Sequence, residues 1–251
     1  MPRTNRRGMR TAVRILISVV AVLALVVVGF LAWANTPMMG DRARAIDVWT
    51  NSAVSITDEG DSVLLAPTGD ASGQGLVFVP GALVDPYAYL YKLAGAVEDT
   101  GLTVVVTKPT LNLAFFDQRP LSTFTSHAPE VSSWYVGGHS LGGVRACQLA
   151  DGTSVDGLIL FGSYCANDLS RSDLRVLSIG GGADGLSTPG KIAAARPLLP
   201  ADATMVEIPG MNHAQFGDYG PQPGDNPAGI TNAQARDRIT ETLTAFLGKA
   251  G

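Results

Sequence analysis

Trp134-Tyr135-Val136-Gly137-Gly138-His139-Ser140-Leu141-Gly142-Gly143-Val144-Arg145-Ala146-Cys147-Gln148-Leu149 is the stretch whose reading decides the fold. A short β-prone run, 134–136, meets a glycine-rich turn, and a helical pattern follows at once. With 29 glycines in the chain, a bare Gly-x-Ser-x-Gly arises easily by chance. A strand breaking sharply into a helix around that motif does not. Such a turn forces Ser140 into strained backbone angles, and only glycine-sized neighbours two residues to either side leave room for it. The serine hydroxyl then stands at the carboxyl edge of a sheet, over a helix N-terminus whose dipole favours developing negative charge.

Outward from this elbow the pattern alternates strand and helix, which predicts an α/β fold: a mostly parallel sheet with helices on both faces. Strands are expected at 62–66, 76–79, 102–107, 158–161, 175–179 and 204–208, and helices at 86–99, 190–199 and 231–247. Residues 108–133 form the longest irregular connection and carry Leu111, Leu113, Phe115, Phe116 and Phe124. Loops of that length in a compact domain tend to be functional.

An activated serine needs a base within hydrogen-bond reach and a carboxylate to orient that base. Three histidines are available. His127 precedes the serine in irregular chain, and His139 is its immediate neighbour, facing away. His213, just past the last strand, is at the edge where Ser140 sits and is the expected base. Among the acids, Asp168 and Asp184 follow strands at that same edge. Asp184 is preferred, because Gly180-Gly181-Gly182-Ala183 before it and Gly185 after it leave its carboxylate free; its competing reading is an Asp-Gly turn residue. Two backbone donors are needed for the oxyanion. The amide of Leu141 is one, and the loop 80–83 supplies the other, with Ala82 chosen to within one residue.

The full chain has 251 residues and a net charge of −4 that hides an asymmetry. Arg3, Arg6, Arg7, Arg10 and Arg14 precede the first acid, Asp41, so the remainder holds 13 bases against 22 acids. Nothing downstream forms a basic patch, which argues against nucleic acid as a partner. Residues 15–34 run without a charge, and twenty such residues in a helix match the hydrocarbon thickness of a bilayer. The arginine flank orients the segment with the N-terminus in the cytoplasm and everything after Asn35 across the membrane. The expected organisation is a basic tail (1–14), a signal-anchor helix (15–34), a juxtamembrane stalk (35–61) that includes a short helix within 36–53, with Ala43, Ile46 and Trp49 at helical spacing, and a catalytic domain (62–251). Cleavage of a signal peptide after Ala34 is the competing reading, although the apolar stretch is longer than a secretory core usually is. Cys147 and Cys165 allow one disulfide in that compartment, but sequence alone does not bring them together, and the expectation is that they stay unpaired. Neither has metal-ligand spacing, and no metal or other cofactor is expected.

With these residues assembled, the chain resembles the α/β-hydrolase superfamily, and over about 63–248 its small, lidless bacterial branch, near dienelactone-hydrolase-like enzymes but with serine as nucleophile. Val79-Pro80-Gly81-Ala82-Leu83-Val84-Asp85 resembles that branch's Pro-Gly-Gly oxyanion loop, with alanine at the second glycine. Lys108-Pro109-Thr110-Leu111-Asn112-Leu113-Ala114 resembles its strand-end motif. Gly138-His139-Ser140-Leu141-Gly142-Gly143, Asp184-Gly185 and Asn212-His213-Ala214-Gln215-Phe216-Gly217-Asp218-Tyr219-Gly220 resemble its nucleophile, acid and base motifs. The resemblance implies a Ser140–Asp184–His213 triad acting on an ester, thioester or lactone of a small acyl substrate. Only 165–174 separates the strand at 158–161 from the next, so no lid is expected, and 111–124 and 216–226 should wall an open pocket. The alternative from another class is a catalytically silent hydrolase fold serving as a binding module of the cell envelope. The sequence assigns no oligomeric state.

Overall fold

The computed structural model describes residues 6–248, so part of the basic tail (residues 1–5) and the last three residues lie outside the described chain. Eight strands, β1 (Val54–Asp58), β2 (Ser62–Pro67), β3 (Gln74–Val79), β4 (Thr103–Thr107), β5 (Ser133–His139), β6 (Gly157–Phe161), β7 (Arg175–Gly181) and β8 (Thr204–Ile208), form one sheet. Their order is β1-β2-β4-β3-β5-β6-β7-β8. From β4 to β8 every pairing is parallel, whereas β1–β2 and β2–β4 are antiparallel.

The central strands are apolar on both sides because both faces are covered. Along β3, Leu76 and Phe78 face one core while Val77 and Val79 face the other, and in β6 Ile159 and Phe161 alternate with Leu158 and Leu160 in the same way. The first core is closed by α3 (Leu90–Thr100) and α7 (Asn232–Leu247), which contribute Leu93, Val97, Ile239 and Leu243. The second is closed by α4 (Leu121–Thr125) and α5 (Leu141–Asp151), through Leu121, Phe124, Ala146 and Leu149. The sheet's two-residue period thus sends alternate side chains to opposite helical layers.

Four expectations are corrected. Residues 35–61 are not a stalk, since they belong to the folded domain. Within them α2 (Arg42–Trp49), capped by the Asp41 carboxylate on the Arg44 amide, buries Val48 against the first core, while Ile46 and Trp49 stay exposed. β1 extends the sheet, joined to β2 by a turn in which Gly60 takes φ +84° and the Glu59 amide donates to the Ser62 carbonyl. The Val54/Ile56 alternation before Asp58-Glu59-Gly60-Asp61 was the legible signal for that hairpin. The helices expected at 86–99 and 190–199 are each divided: a 3-10 turn (Pro86–Tyr89) precedes α3, and another (Arg196–Leu198) follows α6 (Pro189–Ala195). The connection 108–133 is not irregular throughout, since it folds into 3-10 turns at Thr110–Asn112 and Ala114–Phe116 and then α4. Finally, Cys147 and Cys165 are joined in a disulfide, their Cα atoms 5.6 Å apart. Pairing of β5 with β6 returns the chain after Phe161 alongside the first turns of α5, a proximity that sequence alone does not express.

Ahead of the domain runs α1 (Arg6–Ala34). The most apolar window of its segment Gly8–Ala34 has a mean hydropathy of 3.1 and none of that window is buried, so the helix is long and apolar enough to cross a membrane.

Candidate active site

Ser140 ends β5 and begins α5 with φ +52° and ψ −122°, a conformation that costs a non-glycine residue on the order of 1–3 kcal/mol. The surroundings leave it no alternative. A Cβ on Gly138 would meet the backbone of Gly142 and the Val79 carbonyl, and one on Gly142 would run into the carbonyls of Val79 and Pro80. The spacing glycine-x-serine-x-glycine is therefore required by the closeness of β3 to the elbow. The Ser140 carbonyl accepts a hydrogen bond from the Ser163 hydroxyl at 2.7 Å, tying the elbow to the end of β6.

Beyond β7 the chain turns at Asp184, which is 2% exposed. Its Oδ1 accepts from the Leu186 and Ser187 amides at 2.8 and 2.7 Å, which holds the carboxylate with its second oxygen free. That oxygen, Oδ2, accepts a 2.7 Å hydrogen bond from His213 Nδ1, and His213 is fully buried. A proton on Nδ1 leaves Nε2 with its lone pair, the tautomer a general base requires. Asp168, the alternative acid, is exposed and turned onto the Ser170 amide at 2.9 Å. The hydrogen bond to Ser170 holds its carboxyl below the usual aspartate range.

The His213 ring lies 4.4 Å, centroid to centroid, from that of His139, beside the elbow. No hydrogen bond joins Ser140 to His213, whose Nε2 has no partner. The structure therefore brings Asp184 and His213 together, and sets Ser140 at the same sheet edge without a hydrogen bond between serine and histidine.

A second layer of residues holds these parts, and sequence reading did not single it out. The Gly81 N–H donates to the Tyr89 hydroxyl at 2.9 Å, and that hydroxyl is 2.9 Å from His139 Nδ1. The hydroxyl thus bridges the Gly81 amide and the His139 ring. Burial, and then the neighbouring His213, push the His139 pKa well below the ordinary histidine value, while burial pushes that of Tyr89 up. Tyr89 thereby fixes the loop between β3 and α3 to the residue preceding Ser140. Gly81 is committed to this bond, and Ala82 is the next amide in the loop. Neither Ala82 nor Leu141 donates in any turn, loop or cap contact of the backbone. Asp225 performs the corresponding task across the other two loops: it accepts from the Gly185 amide at 3.0 Å and the Ala214 amide at 2.9 Å, on either side of the Asp184–His213 pair. Tyr89 stands eight residues after Gly81, in the run Tyr87-Ala88-Tyr89 that follows the loop 80–85. Asp225 lies in a Gly/Pro/Asp-rich loop with no local pattern to mark it.

Lys92 and Asp218 make a buried ion pair behind the base loop, at 3.1 Å. The lysine also donates to the Asn232 carbonyl at 3.0 Å, and the Asp218 amide to that of Ala88 at 2.8 Å. Burial depresses the Lys92 pKa to about 8 and raises that of Asp218.

Comparison with solved structures places this arrangement among known folds. The chain is similar to a serine hydrolase without a lid from Xanthomonas campestris, with 16% identity, a TM-score of 0.51, and coverage of 80% of this chain and 95% of that one. It is similar to the esterase domain of a Rhodothermus marinus protein at 13% identity and TM-score 0.57, covering 77% and 97%. Carboxyl esterase 2 of Tuber melanosporum aligns at 11% identity and TM-score 0.56, covering 85% and 91%. No curated protein matches the sequence. The profile of the alpha/beta hydrolase family matches residues 75–237, a span that takes in the loop 80–83, Ser140, Asp184 and His213, and the chain belongs to that family.

Proposed function

We propose that the protein is a membrane-anchored, extracytoplasmic serine hydrolase that cleaves a carboxylic ester, thioester or lactone through an acyl-enzyme. The reading is carried by one observation: a serine held at positive φ at the elbow, at the same sheet edge as a buried histidine whose Nδ1 is bonded to a buried carboxylate at 2.7 Å. Ser140 Oγ attacks the carbonyl carbon while His213 Nε2 takes its proton. The oxyanion is held by the Leu141 and Ala82 amides, and Asp184 keeps the imidazole oriented and stabilises it when charged. The tetrahedral intermediate collapses as His213 protonates the leaving oxygen or sulfur. Water, activated by the same histidine, then releases the acid. Each oxyanion donor contributes about 3 kcal/mol.

Anchoring through α1, in preference to cleavage after Ala34, is supported by what the helix end touches. Ala34 is fully buried, and its carbonyl accepts a 2.9 Å hydrogen bond from the Asn112 side chain. In this reading α1 is the membrane anchor and residues 36–248 form one catalytic unit. The missing Ser140–His213 hydrogen bond is the observation that favours the second reading, a silent hydrolase fold that binds without turnover. Catalytic hydrogen bonds that are open in a free enzyme often close only with substrate. Labelling of the full chain in membranes with a fluorophosphonate decides between them: the probe should attach to the wild type and not to Ser140→Ala. A folded wild type that takes no label would overturn the hydrolase reading.

A further inference from the structure

The end of α1 is stitched to the oxyanion loop. The Met38 amide donates to the Leu83 carbonyl at 2.7 Å, and the Asp85 amide returns a bond to the Met38 carbonyl at 3.0 Å, making a short parallel bridge between Met38 and Val84. Asn112 connects the same pieces from the other side. Its carbonyl accepts from the Leu83 amide at 2.8 Å, and its side chain holds the Ala34 carbonyl. Four non-glycine residues have a left-handed φ among the described residues: Leu83, Leu111 and Asn112 lie at this junction, and the fourth is Ser140. Strain maintained at both places marks the junction as a constrained part of the site rather than a passive connection.

The junction also sets the height of the neighbouring turn, Ala114–Phe116. The Phe116 ring packs edge-on against Phe30 with centroids 6.0 Å apart. Phe30 lies four residues before the end of α1, about 6 Å inside it at helical rise. Phe116 is therefore level with the apolar body of α1, not with the domain above it. Phe115 and Phe116 are 50% and 52% exposed, and Met39 and Trp33 beside the helix end are exposed as well. Paired exposed phenylalanines continuous with a membrane-length helix are matched by hydrocarbon rather than water.

We propose that the Ala114–Phe116 turn lies in the outer leaflet of the bilayer, and that the site receives an ester carried in that leaflet, with its acyl chain in the hydrocarbon, rather than one dissolved in water. The occupant of the aromatic face is lipid. The substrate half rests on the hydrolase reading above, and the docking half on α1 as a membrane anchor.

Two measurements on the full chain in phosphatidylcholine vesicles test it. In the first, turnover of a vesicle-borne fluorogenic diacylglycerol is compared with that of a water-soluble butyrate ester for wild type and for Phe115→Ser/Phe116→Ser. The ratio of vesicle-borne to soluble turnover should fall at least tenfold in the double variant. An unchanged ratio would overturn the substrate half, whether or not both rates drop. In the second, Phe116→Cys carries a nitrobenzoxadiazole fluorophore, the two native cysteines being joined to each other. Its emission should be quenched by nitroxide on lipid acyl chains and protected from aqueous iodide. Quenching by iodide instead would overturn the docking half. A wild type inactive on both esters but with a lipid-quenched probe would remove the hydrolase reading and its substrate, and leave the leaflet contact standing.

Discussion

Tyr89→Phe tests the claim that one hydroxyl sets the oxyanion loop. The substitution keeps the ring, which packs against Phe78 at 5.1 Å between centroids, and removes only the oxygen. Two buried groups then lose their partner: the Gly81 N–H and His139 Nδ1, each bonded to that oxygen at 2.9 Å. An unsatisfied buried polar group costs about 1–3 kcal/mol. The loss of both, partly offset because the tyrosine hydroxyl no longer has to be buried, comes to about 2–4 kcal/mol. For a domain of this size that lowers Tm by about 5–15 °C, measured by circular dichroism in detergent. The neighbouring Ala82 amide shifts without being lost, so kcat for a soluble ester should fall about tenfold, below the 10²–10³ of deleting a donor outright, with KM little changed. If Tm drops while kcat holds, Tyr89 is structural only and the loop is positioned by other contacts. If neither changes, the hydrogen-bond assignment itself is wrong.

Asp184→Asn should lower kcat about 10³–10⁴-fold by destroying the tautomer that Nδ1 requires, whereas Asp168→Asn should stay within twofold; steady-state rates on one ester compare them, and the reverse order would move the acid. Removing the Cys147–Cys165 bond, as Cys147→Ser/Cys165→Ser, should cost about 3 kcal/mol from the 18-residue separation it closes, and urea midpoints that coincide with wild type would contradict this. Lys92 gives a pH signature. Its folded pKa of about 8 lies below the 10.5 of an unfolded lysine, so between those values the unfolded chain holds more protons. Stability should therefore rise from pH 7.5 to 9.5, and Lys92→Met should flatten the slope; a wild-type midpoint that falls across that window would refute the assignment.

The elbow, the alternation of strands and helices, and the three side chains considered for the triad were all legible in the sequence. These features have local causes. Glycine spacing around Ser140 is imposed by steric contact within a few residues, and the apolar runs of β3, β4 and β6 follow from burial on both faces. The choice of edge followed from connectivity, since residues after a parallel strand emerge at its carboxyl end. What escaped the sequence depends on contacts between distant segments. β1 reads as stalk because its strand character is weak until β2 pairs with it, and the partners of Tyr89 and Asp225 belong to other loops. Whether Cys147 meets Cys165 is decided by the register of β5 on β6.

By itself, then, the sequence determined the fold class, the candidate nucleophile, base and acid, and a helix long and apolar enough for a bilayer, because each is written in short-range pattern and hydrophobic length. Only the tertiary structure decided that Asp184 reaches His213, that the oxyanion loop hangs from Tyr89, and that α1 ends against that loop with Phe30 on Phe116. Those relations join residues from 8 to 86 positions apart in a chain whose local propensities are indifferent to them, and they exist only once the sheet has brought the segments together.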